Sequence, residues 1–198
     1  MTSSTLLERR RAQTRLEIAG AAMSLFARDG YESVGAEAIA QEAGVSLRTF
    51  YRYFAGKDDV LSPILSEGTT ELADLLASRP PDESLADAVC HAYRQVNASV
   101  DPARVHALVS LLTDVPALRS RWLDSMRTVE DALAPVVQAR EQLDGAQALL
   151  TAAVIVTAIR ATLEQAARKH SSSSLTDDLR VALAYLGAGA RLRPVASA

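Results

Sequence analysis

"AGVSLRTFYRYFAGKDDVL", Ala43–Leu61, is the stretch that decides the fold. Gly44 closes one short helical pattern and Ser46 opens another. Glycine favours the left-handed residue after a helix, and serine is a favoured N-cap. Between them and Lys57 the chain crowds Phe50, Tyr51, Tyr53 and Phe54 beside Arg48 and Arg52, although only 5% of all residues are aromatic. Upstream, Ala36, Ile39, Ala40 and Ala43 fall at helical spacing. The pattern predicts a helix over Ala36–Glu42, a tight turn at Gly44, and a helix from Leu47 to about Phe54. That is a helix-turn-helix. In the second helix Phe50 and Phe54 lie four apart and share one face, to be packed on Ile39 and Phe26. Arg48, Thr49, Tyr51 and Arg52 point elsewhere. Such a ridge suits a DNA major groove: an arginine can give two hydrogen bonds to a guanine edge, and hydroxyls can bond phosphate oxygens. Lys57 adds its charge at the start of the next helix, where the dipole already favours phosphate.

Outward from this stretch, every periodic segment reads as helix. The first runs from Ser4 or Thr5 to Arg28, with Ile18, Ala22, Leu25 and Phe26 on one face and Gly30 ending it. After the quoted stretch a helix is expected from Lys57 towards Ser78, with Pro63 inside it as a kink. The connector Ser78–Ser84 leads to a helix carrying Leu85, Val89, Tyr93 and Val96. Asp101 caps the next, with Pro102 at its first position. Pro116 to Gln142 follows, bent at Pro135, then Ala146–His170, a loop at Ser171–Ser174, and a last helix capped by Thr176 and ending near Gly187. The expected fold is all-α with about nine helices. Its domains would be 1–56, a three-helix helix-turn-helix head, and 57–198, a helical bundle.

Composition limits what the chain does. Its 198 residues are 48% hydrophobic and 23% charged, as in an ordinary soluble globular protein. The net charge is −3, but it is unevenly spread: through Lys57 there are 8 basic against 6 acidic residues, and beyond it 13 against 18. A mildly basic head on an acidic body suits a head that meets an anion. The sole cysteine, Cys90, allows no intrachain disulfide and reads as a small buried hydrophobe in a reducing, cytoplasmic compartment. The N-terminus has no apolar secretory core. The apolar run Ala148–Ile159 falls well short of the ~20 residues that span a bilayer, so no membrane is expected. His91, His106 and His170 have no metal-ligand spacing with one another or with Cys90. No phosphate loop, paired-carboxylate signature or nucleophile elbow occurs. No metal, cofactor or catalytic residue is expected, and no enzyme. Arg9–Arg11 forms either an arm to the DNA backbone or minor groove, or a solvated end.

Ile18–Leu61 resembles the TetR family of bacterial transcription regulators. About 45 residues carry the likeness without a gap, among them Gly30-Tyr31, Ile39-Ala40, Ala43-Gly44-Val45-Ser46, Thr49-Phe50-Tyr51, Phe54 and Lys57. The resemblance implies a homodimeric, ligand-responsive regulator, a repressor of double-stranded operator DNA, released by a hydrophobic small molecule. DNA contacts would be Arg48, Thr49, Tyr51, Arg52, Lys57 and Gly35, with Ser46 as cap. Two positions depart from the family. Val34 and Gly35 stand where it usually has Thr or Ser, leaving the Gly35 amide as phosphate donor. Arg48 stands where it commonly has Gly and would read a base particular to this chain. The resemblance also implies dimerisation through helices 146–170 and 176–187 as a four-helix bundle. "PALRSRWLDSMRTVEDALAPVVQARE", Pro116–Glu141, is similar to an actinobacterial subgroup that senses acyl-CoA-like molecules. Effector-pocket candidates are Tyr93, Asn97, Trp122, Met126 and Arg160. For each a structural reading stands beside it: Trp122, with Met126 and Leu123, as core; Tyr93 and Asn97 as a solvent face; Arg160 as the partner of Glu164 one turn on. Two rival functions remain, a protein-binding adaptor with a degenerate helix-turn-helix and an all-α enzyme.

Overall fold

In the computed structural model, which describes residues 6–98, 100–169 and 175–187, all regular structure among those residues is helical. The helices are α1 (Leu6–Asp29), α2 (Ala36–Glu42), α3 (Leu47–Tyr53), α4 (Ser62–Ala77), α5 (Leu85–Val96), α6 (Pro102–Asp114), α7 (Pro116–Glu141), α8 (Gly145–Lys169) and α9 (Leu175–Gly187). A 3-10 turn at Lys57–Asp59 precedes α4. The expected helix start at Ser4 or Thr5, His170 and the Ser171–Ser174 loop lie outside the described residues.

The ends of these helices follow local chemistry. After α2, Gly44 takes φ +65°. Its amide donates to the Gln41 carbonyl at 3.0 Å, and the Val45 amide donates to the Ala40 carbonyl at 2.9 Å. This pair of bonds is the Schellman closure, and it needs a left-handed residue that glycine supplies without a Cβ penalty. α1 ends in a related way: Gly30 has φ +81° and bonds back to Phe26. Ser46 caps α3, its Oγ accepting from the Thr49 amide at 3.1 Å.

Two boundaries correct the sequence reading. The segment after Gly56 is not one helix from Lys57. It is a 3-10 turn, and α4 begins only at Ser62. Pro63 is therefore the second residue of α4 and not an interior breaker. There its missing N–H has no intrahelical carbonyl to lose, so the reason for a kink disappears. Likewise α9 begins at Leu175, which puts Thr176 within its first turn rather than at the cap.

The chain divides into two compact units: 1–69 with 103–128, and 70–102 with 129–198. α4 and α7 contribute residues to both. In the first unit α2 packs on α1 and on α3. Ile18, Ala22, Leu25 and Phe26 of α1 meet a core with Ile39, Ala40, Phe50, Phe54, Val60 and Leu61, all nearly inaccessible to water. In the second unit α9 packs on α8 and α5. Val89, Cys90, Leu133, Val137, Ile155, Val156 and Leu179 are buried there. α8 is longer than its apolar run, at 25 residues, and by length and composition alone could cross a bilayer. Its buried positions Ala148, Ala152, Ile155, Val156 and Ile159 recur at three and four residues, the stripe of a helix packed in a bundle.

Candidate nucleic-acid interface

The first unit sorts the aromatic stretch into two faces. Phe50 and Phe54 are 0% and 1% exposed, with ring centroids 5.6 Å apart. Their burial fixes the rotation of α3 about its axis. That rotation leaves Arg48, Tyr51 and Arg52 exposed, with Thr49 half-buried beside them. Tyr51 is 57% exposed, uncommon for so large a ring, while its inner edge meets Phe50 at 5.4 Å in a T-shaped contact. The Thr49 hydroxyl lies 2.9 Å from the Ser46 Oγ, which orders the first turn of α3. Gly35 occupies the N-cap position of α2 with no side-chain bond, its carbonyl accepting from the Ile39 amide.

Lys57 does more than the sequence suggested. Its Nζ donates to the Tyr31 carbonyl at 2.9 Å and to the Val34 carbonyl at 3.2 Å, and stands 4.2 Å from the centre of the Tyr31 ring. The Tyr31 hydroxyl in turn donates to Asp58. Burial, then the Asp58 carboxylate, push the Tyr31 phenol well above its ordinary range, so it stays a donor. The loop between α1 and α2 is thereby tied to the turn before α4, and α2 is held against α3. Lys57 has three donors; two hold this loop and a third remains. Tyr31 and Asp58 were not singled out from sequence. The signal was there in Gly30-Tyr31 and Lys57-Asp58, but nothing local shows that segments 27 residues apart meet.

Arg15 was missed as well. Its guanidinium carbon lies 5.7 Å from the centre of the Phe54 ring, and its Nε is buried without a partner. Arg52 stacks on Tyr53 at 4.9 Å.

Residues 18–63 match the family described as bacterial regulatory proteins, tetR family, and residues 80–191 match the MftR C-terminal domain. The chain belongs to the TetR family. It is 34% identical to the HTH-type transcriptional regulator TcmR of Streptomyces glaucescens over 148 residues, covering 70% of this chain and 65% of TcmR, just under two thirds. It is 25% identical to the HTH-type transcriptional repressor AcnR of Corynebacterium diphtheriae, covering 83% of this chain and 85% of AcnR. In fold it is similar to FadR of Thermus thermophilus, a TetR-family repressor solved in complex with lauroyl-CoA. The TM-score is 0.59 at 22% identity, covering 93% of this chain and 98% of that one. The all-α reading with an N-terminal helix-turn-helix and a C-terminal helical part is that of this family.

The five effector-site candidates of this TetR-family chain fall in both units. In the first, Trp122 is 2% exposed and Met126 half-buried, while Leu123 is 41% exposed on another face of α7. In the second, Tyr93 is 7% exposed, and burial alone pushes its phenol up. Asn97 Nδ2 donates to the Tyr93 carbonyl at 2.8 Å, just past the end of α5. Arg160 pairs with Glu164 at 2.8 Å along α8. Cys90 is fully buried, and burial raises its thiol pKa, as for an inert core cysteine. Among the described residues no group of three or more His, Cys, Asp or Glu is placed to hold a metal.

Proposed function

We propose that this chain is a cytoplasmic, homodimeric transcription regulator, a repressor, that binds double-stranded operator DNA through α3 and is released by a hydrophobic small molecule. One observation carries the reading. α3 is sealed on one face by Phe50 and Phe54 and offers Arg48, Tyr51 and Arg52 on the other, with Thr49 between. In the major groove, Arg48 and Arg52 would read base edges while Thr49, Tyr51, the third donor of Lys57 and the Gly35 amide would hold phosphates. The effector would be acyl-CoA-like, a reading supported by lauroyl-CoA in Thermus FadR. The residues proposed for its contact are Tyr93, Asn97, Trp122, Met126 and Arg160.

Pairing follows from DNA geometry, because two recognition helices must reach half-sites one helical turn apart. α8 and α9, which pack together, leave Leu150 (68% exposed), Val154 (42%), Val181 (69%) and Tyr185 (67%) uncovered. Large side chains left in water on two adjacent helices favour a second copy as their cover. The test of the whole reading uses a duplex of about 30 base pairs that the protein itself selects from a randomised pool, long enough for two half-sites. Arg48→Ala and Arg52→Ala should each weaken binding by about 1–3 kcal/mol and relax preference at one base position. No loss in either variant would remove α3 as the reading helix.

A further inference from the structure

We propose that a cleft where the α4–α5 connector meets α5 binds a small oxyanion, the phosphate or carboxylate group of an acidic metabolite, at a site apart from the DNA-reading helix and from the effector candidates. The cleft lies in the second unit, has a volume of about 480 Å³, and is lined by Arg79, His91, Arg94, Gln95 and Ala98. Neither an acid nor any of the five effector candidates is among those residues. His91, Arg94, Gln95 and Ala98 recur at three and four residues, so they share one side of α5 and the turn that ends it. Tyr93 lies on the opposite side, in the core.

The donors of this cleft are in place before any ligand arrives. Glu83 is the positioning group. Its side chain is 14% exposed, and its carboxylate is occupied by the cleft's own residues. Arg79 Nε and Nη2 donate to it at 2.7 and 2.9 Å, and His91 Nδ1 donates to the same carboxylate. Arg79 Nη1 and His91 Nε2 are left with no partner among the described residues. The backbone beneath is fixed as well: Arg140, its side chain 7% exposed, donates to the carbonyls of Arg79, Pro80 and Glu83. Donors held this way give up little rotamer freedom on binding.

The charge selects the ligand. Glu83 balances Arg79. Arg94 is exposed and makes no ion pair among the described residues, so its guanidinium charge stands uncompensated on the cleft wall. Arg160, Arg168 and Arg180 of the same unit each have a carboxylate partner. Guanidinium groups bind phosphate and carboxylate through parallel N–H bonds, and the Gln95 amide adds a neutral donor. An oxyanion between Arg79 Nη1 and Arg94 would meet donors on both sides. A cation would meet like charge there, and an apolar ligand would leave the donors without partners.

The experiment follows the histidine ring signals of the full chain by proton NMR while sodium pyrophosphate, sodium succinate or sodium chloride is added at constant pH and ionic strength. The chain has three histidines, and the His91 signals are those lost in His91→Gln. Arg94→Ala and Gln95→Glu alter exposed side chains and leave the core untouched. Arg119→Ala, exposed in the first unit, makes the same change of charge elsewhere. The expected result is a saturable movement of the His91 signals with pyrophosphate, succinate or both, and none with chloride. Saturation by pyrophosphate alone assigns a phosphate ligand, and by succinate alone a dicarboxylate. Arg94→Ala should weaken the binding about tenfold or more, the loss of one charge-assisted hydrogen-bonding partner. Gln95→Glu should weaken it through repulsion, and Arg119→Ala should leave it unchanged. His91 signals that stay still, that drift without saturating, or that move as readily in Arg94→Ala as in wild type would overturn the site.

Discussion

Lys57 bonds two carbonyls of a loop 23 and 26 residues upstream, and the consequence is mechanical before it is electrostatic. A charged donor removed from partly buried carbonyls leaves them short of a partner. Lys57→Met should therefore lower the stability of the folded protein by about 1–2 kcal/mol, read as a fall in denaturation midpoint without DNA. If Lys57 acted on phosphate alone, that midpoint would not move. The same residue shows where sequence reading stops. Phe50 and Phe54 could be assigned to the core because both lie on one short helix, and Ser46 to its cap because capping acts over three residues. The bonds from Lys57 to Tyr31 and Val34, and from Tyr31 to Asp58, join distant segments, and no periodicity encodes them. Arg15 over Phe54 is another such case, 39 residues apart, and was not singled out from sequence.

Among the elements, the α2–turn–α3 unit was readable nearly to the residue, because Gly44 and Ser46 act locally and the apolar spacing is strong. α4 was not. Its start depends on the 3-10 turn at Lys57–Asp59, which the Tyr31 and Val34 contacts stabilise from outside the segment. The α4–α5 connector is fixed in the same non-local way. Arg140 of α7 donates to the carbonyls of Arg79, Pro80 and Glu83. Arg79 holds Glu83 through two bonds at 2.7 and 2.9 Å, and His91 of α5 bonds the same carboxylate. The Arg79 guanidinium first, with His91 added, holds the Glu83 carboxyl down at about 2, against an ordinary 4.5 and against the opposing effect of burial. A carboxyl whose folded pKa is depressed stabilises the fold fully above its unfolded value and loses that contribution as pH falls through the folded one. Wild type should thus lose stability between about pH 4.5 and 2 in part through Glu83. Glu83→Gln should be less stable at neutral pH, with the gap to wild type closing across that window in thermal melts. A gap constant with pH would show that the Arg79–Glu83–His91 cluster does not hold the connector by charge.

For the whole molecule, pairing is what turns a single helix-turn-helix into a reader of two half-sites. Val181 and Tyr185 lie four apart on α9, both about two-thirds exposed, and Leu150 and Val154 lie four apart on α8. Val181→Glu with Tyr185→Glu should yield a folded monomer in sedimentation, because neither residue contributes to a core; a variant that stays dimeric would move the interface elsewhere. This interface is proposed from the family likeness and the apolar α8, with the exposed side chains in support, whereas nothing in the sequence separates the effector's contacts from core. Buried Trp122 and Tyr93 look the same in sequence whether they line a cavity or fill a core. The most direct test of the central claim, that paired heads hold a duplex by its phosphates and read it through α3, is a salt titration of duplex affinity for wild type and for the monomeric variant. The account predicts that log affinity falls linearly with log salt, about −0.9 per phosphate contacted, with a slope about twice as steep for the dimer. An affinity flat in salt, or a slope the same for dimer and monomer, would contradict it.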